Sequence, residues 1–362
     1  MTCSVRRLQI LLLPQNLFVL TLSERINLLA ELGHYLRQAP DEALETVVRQ
    51  SYVENQWFTP ENVRNAIAAI AGQWLDKDKL TQWAAGYPAS QSLHPEKTIG
   101  LVMAGNIPLV GFHDWLCVFV AGHKAQVKLS DKDKRLLPFL VRQMGDWAFE
   151  SWEYTEFTGE SEQLRGFDAV IATGSNNTAR YFEQYFAQYP HLIRRNRNGV
   201  AVIDGSESMA DLFALGRDIF TYFGLGCRNV SKIYVPHGYN FDILLEALHE
   251  YRDIIHHHKY KNNFDYNLTL YILNNMPYRN NGCILLREDP SFTSRIAAVH
   301  YEYYEDREEV AALLTEHREE IQCVVAKSPL PGIDTLRFGQ SQEPGLSDYA
   351  DGVDVMRFLT DL

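Results

Sequence analysis

Apolar residues in the first hundred positions recur at spacings of three and four, the period of helices with one buried face. Two helix starts are marked locally. Thr21 precedes Glu24 by three residues in a capping-box pattern, and Thr59 is followed by Pro60, a residue favoured in the first helical turn. The pattern therefore predicts an N-terminal region built from helices.

Further along the chain, short β-branched apolar runs alternate with helical patterns. Strands are predicted at 98–105, 125–130, 167–173 and 199–204, each separated from the next by a helix. Strands that alternate with crossover helices predict an α/β fold with a doubly wound, mostly parallel sheet. Together with the N-terminal helices, this sheet makes up a first predicted domain, residues 1–205.

A second α/β unit is predicted over 206–335, followed by a C-terminal segment at 336–362. No low-complexity linker separates the units, so we expect them to pack closely together. The predicted helices of the second unit cover 210–223, 241–255 and 307–317, and its strand candidates cover 230–236, 268–273, 283–287, 296–301, 322–326 and 335–339.

Composition narrows the class of protein. The 362 residues are 46% hydrophobic and carry a formal charge of −12 with no Lys/Arg stripe, which argues against binding to nucleic acid or anionic membranes. The five cysteines are scattered, so reduced thiols and a cytoplasmic location are expected. No apolar stretch approaches the roughly 20 residues that span a bilayer. The apolar run at 8–14 is too short for a signal peptide and is interpreted as a buried strand or start-site extension.

Cys227 is the most informative candidate for chemistry. It follows Gly224 and Gly226 on a turn between a predicted helix and a predicted strand, where a thiolate at a domain edge can meet a substrate. The alternative is a small buried residue that fills space beside a glycine turn. A dinucleotide fingerprint fails here, because Asn229 occupies the third glycine position and a helix precedes the turn.

Three further segments follow predicted strands. Gly105 and Asn106 open a helix, where an amide could donate to an oxyanion, an interaction worth roughly 3 to 4 kcal/mol; the alternative is an Asx turn or N-cap. Lys128 and Ser130 could hold a ribose or phosphate, or lie on an ordinary surface. The third segment suits a pyrophosphate at a helix N-terminus, and it comprises Thr173, Gly174 and Ser175.

No metal site is predicted. His256, His257 and His258 are consecutive, so their side chains point in different directions, and no carboxylate or cysteine lies at ligand spacing.

The order of these segments resembles the aldehyde-dehydrogenase superfamily and, within it, the fatty acyl-CoA reductases of the LuxC type. The family's N-x-P segment resembles Asn106-Ile-Pro108, and its V-V-V-K-P-S strand resembles 125–130. The T-G-S turn matches 173–175. The family's nucleophile signature is similar to Gly224-Leu-Gly-Cys227 with Lys232 five residues on. The resemblance covers about 95–240 and a C-terminal glycine segment at 338–352, and it is loose between them.

The resemblance implies a cofactor domain, a second α/β catalytic domain, and a C-terminal segment that returns to their junction. It implies Cys227 as nucleophile, Asn106 as oxyanion donor and NADPH as cofactor, with NADH possible. Gly105, Lys128, Ser130, Thr173, Gly174 and Ser175 would bind this cofactor, and Glu288 is a poor counterpart of the family's ribose-binding glutamate.

One departure from the family pattern bears on the reaction. Arg194-Arg-Asn-Arg-Asn198 stands where hydrolytic members carry E-L-G-G-K, so the glutamate that activates water is absent. The expected function is therefore reduction of an acyl thioester, from acyl-CoA or an acyl carrier, to an aldehyde. The alternatives are CoA-acylating aldehyde oxidation in the reverse direction and an inactive scaffold for an acyl-transferring partner. A homo-oligomer and an acyl-supplying protein partner are expectations from the same resemblance.

Overall fold

A computed structural model describes residues 19–87, 97–159 and 162–362 of the chain. The apolar run at 8–14 lies outside the described residues. The α/β class and the mostly parallel sheets predicted from the sequence are confirmed. Within the described residues, no helix is long and apolar enough to cross a membrane.

The N-terminal region is helical, as predicted, and both predicted helix starts are confirmed. Thr21 accepts a hydrogen bond from the Glu24 N–H, and the Glu24 carboxylate accepts one from the Thr21 N–H. Thr59 caps the helix that Pro60 begins. Each cap contributes about 1 kcal/mol to its helix. The helices run over Leu22–Arg37 (α1), Glu42–Glu54 (α2), Pro60–Gln73 (α3) and Lys77–Ala84 (α4).

The first sheet has five strands, all parallel. The strands are Thr98–Val102 (β1), Lys124–Lys128 (β2), Thr155–Phe157 (β3), Ala169–Thr173 (β4) and His191–Arg194 (β5), and its helices are Phe112–Ala121 (α5), Leu136–Trp147 (α6) and Asn176–Tyr185 (α7). The spatial order is β3-β2-β1-β4-β5. The chain therefore reverses its direction of winding between β1 and β4, and such a switch point opens a crevice at the carboxyl ends of the strands.

The second sheet has seven strands and one antiparallel pair at its edge. Its strands are Asn198–Val202 (β6), Val230–Pro236 (β7), Arg279–Asn280 (β8), Leu285–Glu288 (β9), Ala298–Tyr304 (β10), Ile321–Ala326 (β11) and Thr335–Leu336 (β12), and its helices are Met209–Phe220 (α8), Phe241–His249 (α9), His258–Leu273 (α10) and Arg307–Glu316 (α11). The order is β12-β11-β6-β7-β10-β9-β8.

Two details of the sequence interpretation are corrected. Strand β6, assigned from the sequence to the first sheet, pairs with β7 and β11 in the second. The strand candidate at 268–273 lies instead in helix α10. Its residues are rich in β-formers, but Tyr260, Phe264, Asn267 and Tyr271 are buried at helical spacing along one face. The domain boundary at residue 205 stays a prediction.

Apolar side chains cover both faces of each sheet. The largest cluster joins the N-terminal helices to α5 and α6, and a smaller one lies under α7 on the opposite face of the first sheet. In the second sheet, α8, α9 and α10 cover one face and α11 the other. The C-terminal helix, Val355–Thr360 (α12), packs on α5 and belongs to the largest cluster.

The C-terminal segment is tied to the second unit by one buried carboxylate. Asp218 on α8 accepts hydrogen bonds from the backbone N–H groups of Gly339 (2.6 Å) and Ser341 (2.9 Å). The segment then passes to the first unit, where Tyr349 accepts a hydrogen bond from the Trp83 indole at 3.0 Å. It thus contacts both units on the side where they face each other.

Gly122 ends α5 in the left-handed conformation, with φ 84°. A Cβ at this position would lie 3.1 Å from the guanidinium carbon of the buried Arg25. Gly122→Ala should therefore lower the free energy of unfolding by about 1 to 2 kcal/mol, the cost of a left-handed conformation for an L-residue. Chemical denaturation measures the change. The matched control is Gly72→Ala on the exposed face of α3, where an added Cβ meets nothing within 4 Å; it should stabilise by about 0.5 to 1 kcal/mol. Equal stabilities of the two variants would contradict this account.

Candidate functional site

A large cavity opens at the carboxyl ends of β1 and β4, where the winding of the first sheet reverses. Its volume is about 730 Å³, within the range of roughly 300 to 1,000 Å³ of small-molecule sites. The loop at 103–106 after β1 and the loop at 173–175 after β4 line one side. The loop at 293–298, between β9 and β10, lines the opposite side. The cavity therefore lies between the two sheets.

Five of the predicted cofactor-binding residues line this cavity together: Gly105, Ser130, Thr173, Gly174 and Ser175. Ser175 caps α7 by accepting a hydrogen bond from the Thr178 N–H at 3.3 Å. A Cβ on Gly174 would lie 3.0 Å from Thr178, so a side chain here would crowd the start of α7. A helix N-terminus with free N–H groups is suited to an anion.

Lys128 and Glu288 lie elsewhere. Lys128 donates to the Glu162 carbonyl at 2.9 Å and lines an adjoining groove, which shares Val102 and Phe182 with the large cavity. The groove presents two exposed tyrosines of α7, Tyr181 and Tyr185. Glu288 is exposed at the end of β9 and is not among the residues lining either cavity.

The charge of the large cavity is opposite to that of the whole chain. Five basic and two acidic side chains line the cavity, in a protein of net charge −12. The basic residues are Lys132, Arg194, Arg195, Arg197 and Arg295, and the acidic ones are Asp114 and Asp351. A cavity with three excess positive charges is suited to an anionic ligand such as a dinucleotide.

Cys227 lies on a tight loop between α8 and β7. Three consecutive residues before it adopt left-handed conformations, with φ 53° at Tyr222, 60° at Phe223 and 75° at Gly224. Such conformations cost non-glycine residues of order 1 to 3 kcal/mol each and are held only by strong surrounding contacts. The loop is therefore a strained element whose shape the rest of the structure must fix.

Asn229 supplies the contacts that fix the loop. Its buried amide accepts a hydrogen bond from the Gly226 N–H at 2.8 Å. It also donates to the carbonyls of Asp218 (3.0 Å) and Thr221 (2.9 Å) at the end of α8. One side chain thus satisfies backbone groups on both sides of the turn that presents Cys227.

Asn106 reaches this loop from the first unit. Its amide nitrogen donates to the Leu225 carbonyl at 2.8 Å, a contact between residues 119 positions apart. Asn106 lines the large cavity together with Cys227. Asn106 and Cys227, the two residues proposed for chemistry from the sequence, are therefore brought together. The carbonyl that Asn106 contacts belongs to Leu225, two positions before Cys227.

A second, mostly apolar cavity of about 140 Å³ lies on the other side of the thiol. Cys227 and Gly226 line both cavities, as do Asp114 and Arg194. Helix α3 covers the small cavity with Ile70 and other side chains. A sulfur at the junction of two cavities is placed to meet one ligand from each side.

Two ion pairs surround the thiol, both made by the segment at 194–198. Arg194 at the end of β5 pairs with Asp114 of α5 at 2.5 Å, and both side chains are largely buried. Arg197 pairs with Asp351 at 3.1 Å. This segment thus places two guanidinium groups, each paired with a carboxylate, in the cavity that Cys227 lines.

The folded environment disfavours the thiolate of Cys227. Burial raises the pKa of the thiol, while the Arg228 guanidinium opposes this shift. An ordinary cysteine has a pKa of about 8.5, so the Cys227 thiol is mostly neutral at pH 7. The nearby Cys323 is held further from ionisation, because burial raises its pKa to about 12.

Several residues of this site were missed by sequence reasoning. Asn229 was considered only as a failed glycine position, although an asparagine three residues after Gly226 is a signal for a side-chain hydrogen bond to the turn. Asp114 and Asp351 carry no local signal. They reach the thiol from α5 and from the C-terminal segment, which only the folded chain brings together.

The sequence matches no protein-family model and no curated protein sequence. Solved structures share its fold. Aldehyde dehydrogenase 21 from Physcomitrella patens, in complex with succinate, has a TM-score of 0.65 at 12% identity, covering 94% of this chain and 84% of that one. An aldehyde dehydrogenase from Bacillus cereus in complex with NAD+ has a TM-score of 0.59 at 14% identity over 85% and 72% of the two chains.

A third structure agrees. Lactaldehyde dehydrogenase from Escherichia coli has a TM-score of 0.59 at 12% identity, covering 86% of this chain and 75% of that one. The chain therefore has the aldehyde dehydrogenase fold. At these identities the likeness establishes the fold and not the activity.

The charge of Arg228 should control the reactivity of Cys227. Arg228→Gln removes the guanidinium that opposes the burial effect, so the pKa of the thiol should rise further. Because the thiolate is the reactive form, iodoacetamide alkylation near pH 8 should slow by up to about ten-fold, which corresponds to one pKa unit. The pH dependence of the alkylation rate, with the modified residue located by peptide mass spectrometry, measures this effect. At a pH above both pKa values the two proteins should react equally fast. An unchanged or downward-shifted profile would show that Arg228 does not act on the thiol.

Proposed function

We propose that this protein reduces an acyl thioester to an aldehyde with a nicotinamide cofactor, through an acyl-enzyme on Cys227. The observation that carries the proposal is the position of Cys227 at the junction of a basic cavity and an apolar cavity. The aldehyde dehydrogenase fold supports an oxidoreductase that acts on an aldehyde or acyl group. The thioester substrate and the direction of reaction are inferred from the site.

The large cavity fits a dinucleotide in size and charge. The excess of basic side chains matches a pyrophosphate, and the N-terminus of α7 behind Gly174 and Ser175 adds N–H groups of the same polarity. Lys128, in the adjoining groove, would hold the adenosine ribose or a 2′-phosphate. A reduced nicotinamide bound here would supply the hydride. NADPH suits a reductive reaction, and NADH remains the alternative.

The chain's own groups perform the covalent steps. The Cys227 thiolate, after its proton has passed to solvent, attacks the thioester carbonyl. The bond between the carbonyl carbon and the carrier sulfur breaks, and the carrier thiolate leaves and takes a proton from solvent. After hydride transfer to the acyl carbon, the thiohemiacetal on Cys227 collapses, which breaks the carbon–sulfur bond and releases the aldehyde and the thiolate.

Asn106 is proposed to stabilise the negative oxygen in both steps. Its amide has two N–H groups, one of which is held by the Leu225 carbonyl at 2.8 Å. The other can donate to the developing oxyanion, together with the backbone N–H of Cys227. A donor held in place before the reaction costs no reorganisation when charge develops.

The carboxylates around the thiol favour reduction over hydrolysis. Three aspartates share the described cavities with Cys227, namely Asp114, Asp348 and Asp351. Asp114 and Asp351 are held in ion pairs, and Asp348 accepts a hydrogen bond from the Gly345 N–H at 2.7 Å. Burial raises the pKa of Asp114 and Asp351, but each of the three carboxylates is held by another group, so we expect none of them to activate a water molecule at the acyl group. The acyl-enzyme should therefore survive until hydride arrives.

The first test is consumption of NADPH and NADH with a panel of acyl-CoAs, with aldehyde detected by trapping. Cys227→Ala should abolish turnover, because no acyl-enzyme can form. Asn106→Ala should lower kcat by about 100- to 1,000-fold, the usual effect of removing one oxyanion donor. Cys323→Ala is the matched control, since Cys323 is a neighbouring thiol not among the residues lining either cavity; it should retain activity.

The alternatives give different results in the same assay. A CoA-acylating aldehyde oxidiser would turn over aldehyde, oxidised cofactor and CoA faster than it reduces any thioester. A scaffold that docks an acyl-transferring partner would show no Cys227-dependent turnover in either direction. Either result would contradict the proposed direction of reaction.

A further inference from the structure

The two cavities that meet at Cys227 differ in the ligand they can take. If the large basic cavity holds the dinucleotide, as the proposed function requires, the acyl chain must extend into the small cavity on the other side of the thiol. That cavity is mostly apolar and lies between α3, the loop after Asn106 and the C-terminal segment. Its dimensions therefore determine which acyl groups the enzyme accepts.

The volume of the small cavity is about 140 Å³. A dry apolar protein cavity of about 150 Å³ holds one benzene ring, so this cavity has room for roughly six carbon atoms. A long fatty acyl chain needs at least twice that volume. Such a chain would have to displace the lining side chains or extend beyond the cavity, where its further methylene groups gain little burial.

The wall is held in place by several contacts. Ile70 is 5% exposed and belongs to the largest core cluster. The Trp74 indole donates to the Pro344 carbonyl at 2.7 Å and stacks on Phe112 at 6.2 Å between ring centroids. Helix α3 is thus fixed both to the first unit and to the C-terminal segment, and it forms one wall of the cavity, which is open on part of its surface.

The polar groups that line the small cavity leave no net charge to pair with a charged acyl group. Arg194 and Asp114 neutralise each other at 2.5 Å. Burial lowers the pKa of His113 to about 4, so this side chain is neutral at pH 7. Its Nε2 is already hydrogen-bonded to the Leu346 carbonyl at 3.0 Å. The remaining charges, Arg228 and Asp348, are of opposite sign.

We propose that the natural substrate carries a short, uncharged acyl group of up to roughly six carbon atoms, the content of a cavity of this volume. This inference rests on the proposed function. It departs from the long-chain substrates that the resemblance to fatty acyl-CoA reductases implies. The side chains of helix α3 that line the cavity limit the length of the acyl chain.

The test measures acylation of Cys227 without cofactor, across saturated acyl-CoAs from two to twelve carbons, by intact-protein and peptide mass spectrometry. In the wild type, the acylation rate should rise to a maximum at four to six carbons. It should then fall by at least about ten-fold at ten carbons, since even one misfitting methylene in a tight pocket costs about that much. The rate of alkylation by iodoacetamide serves as the reference for thiol reactivity.

Two pairs of variants on α3 locate the limit. Ala69→Leu adds carbons to the wall of the cavity and should shift the optimum to shorter chains; its control, Ala68→Leu, adds the same atoms on the exposed face. Ile70→Ala enlarges the cavity and should shift the optimum to longer chains. Its control, Ile67→Ala, makes the same truncation at a buried position that is not among the residues lining the cavity. Neither control should move the optimum.

The outcomes separate this inference from the proposed function. Acylation of wild-type Cys227 at similar rates up to twelve carbons, with aldehyde formed on addition of NADPH, would overturn the length limit and leave the function standing. An optimal chain length that shifts equally in variant and control would also overturn it, because the cavity-lining side chains of α3 would then not set the limit. No acylation at any length, with alkylation intact, would overturn both.

Discussion

The hydrogen bond from Asn106 to the Leu225 carbonyl joins the two halves of the site. Asn106 belongs to the loop after β1 in the first sheet, and Leu225 belongs to the strained loop that presents Cys227 beside the second sheet. Neither loop alone places an amide beside a thiol. Asn229 holds the second loop from within, Trp57 packs against Phe223 of that loop, and the Asn106 hydrogen bond ties the loop to the switch point of the first sheet.

Two ion pairs lie in the segment where the resemblance led us to expect a glutamate. Arg194 and Arg197 lie in the segment where that residue would stand, and each is paired with a carboxylate, Asp114 or Asp351, near Cys227. Burial raises the pKa of both carboxyls, and the arginines oppose that shift. The proposed preference for reduction over hydrolysis depends on these four side chains.

The sequence predicted what local chemistry decides. The caps at Thr21 and Thr59, the alternation of strands and helices, and the turn at Gly224 to Cys227 are each encoded within a few neighbouring residues. Strand β6 was placed in the wrong sheet because a parallel strand pairs with distant partners, and its apolar run looks the same in either sheet. Helix α10 was missed in part because its β-branched and aromatic residues outweighed their helical spacing.

Some residues of the candidate site are likewise indicated by the local sequence, and others are brought together only by folding. Cys227, Asn106 and the loops at 105 and 173–175 follow strands and turns, so sequence position was enough to find them. Asp114 and Arg194 are 80 positions apart, and nothing in either neighbourhood indicates the other. The apolar cavity could not be predicted at all, since its volume depends on how closely α3 packs against the loop after β1.

The central claim is that the acyl group on Cys227 is the hydride acceptor. The most direct measurement isolates the acyl-enzyme after removal of excess thioester, locates the acyl group by peptide mass spectrometry, and then adds NADPH in a single turnover. The account predicts one equivalent of aldehyde for each acyl group lost from Cys227, with little carboxylic acid formed. An acyl-enzyme that persists, or that releases carboxylic acid at the same rate with and without NADPH, would contradict it.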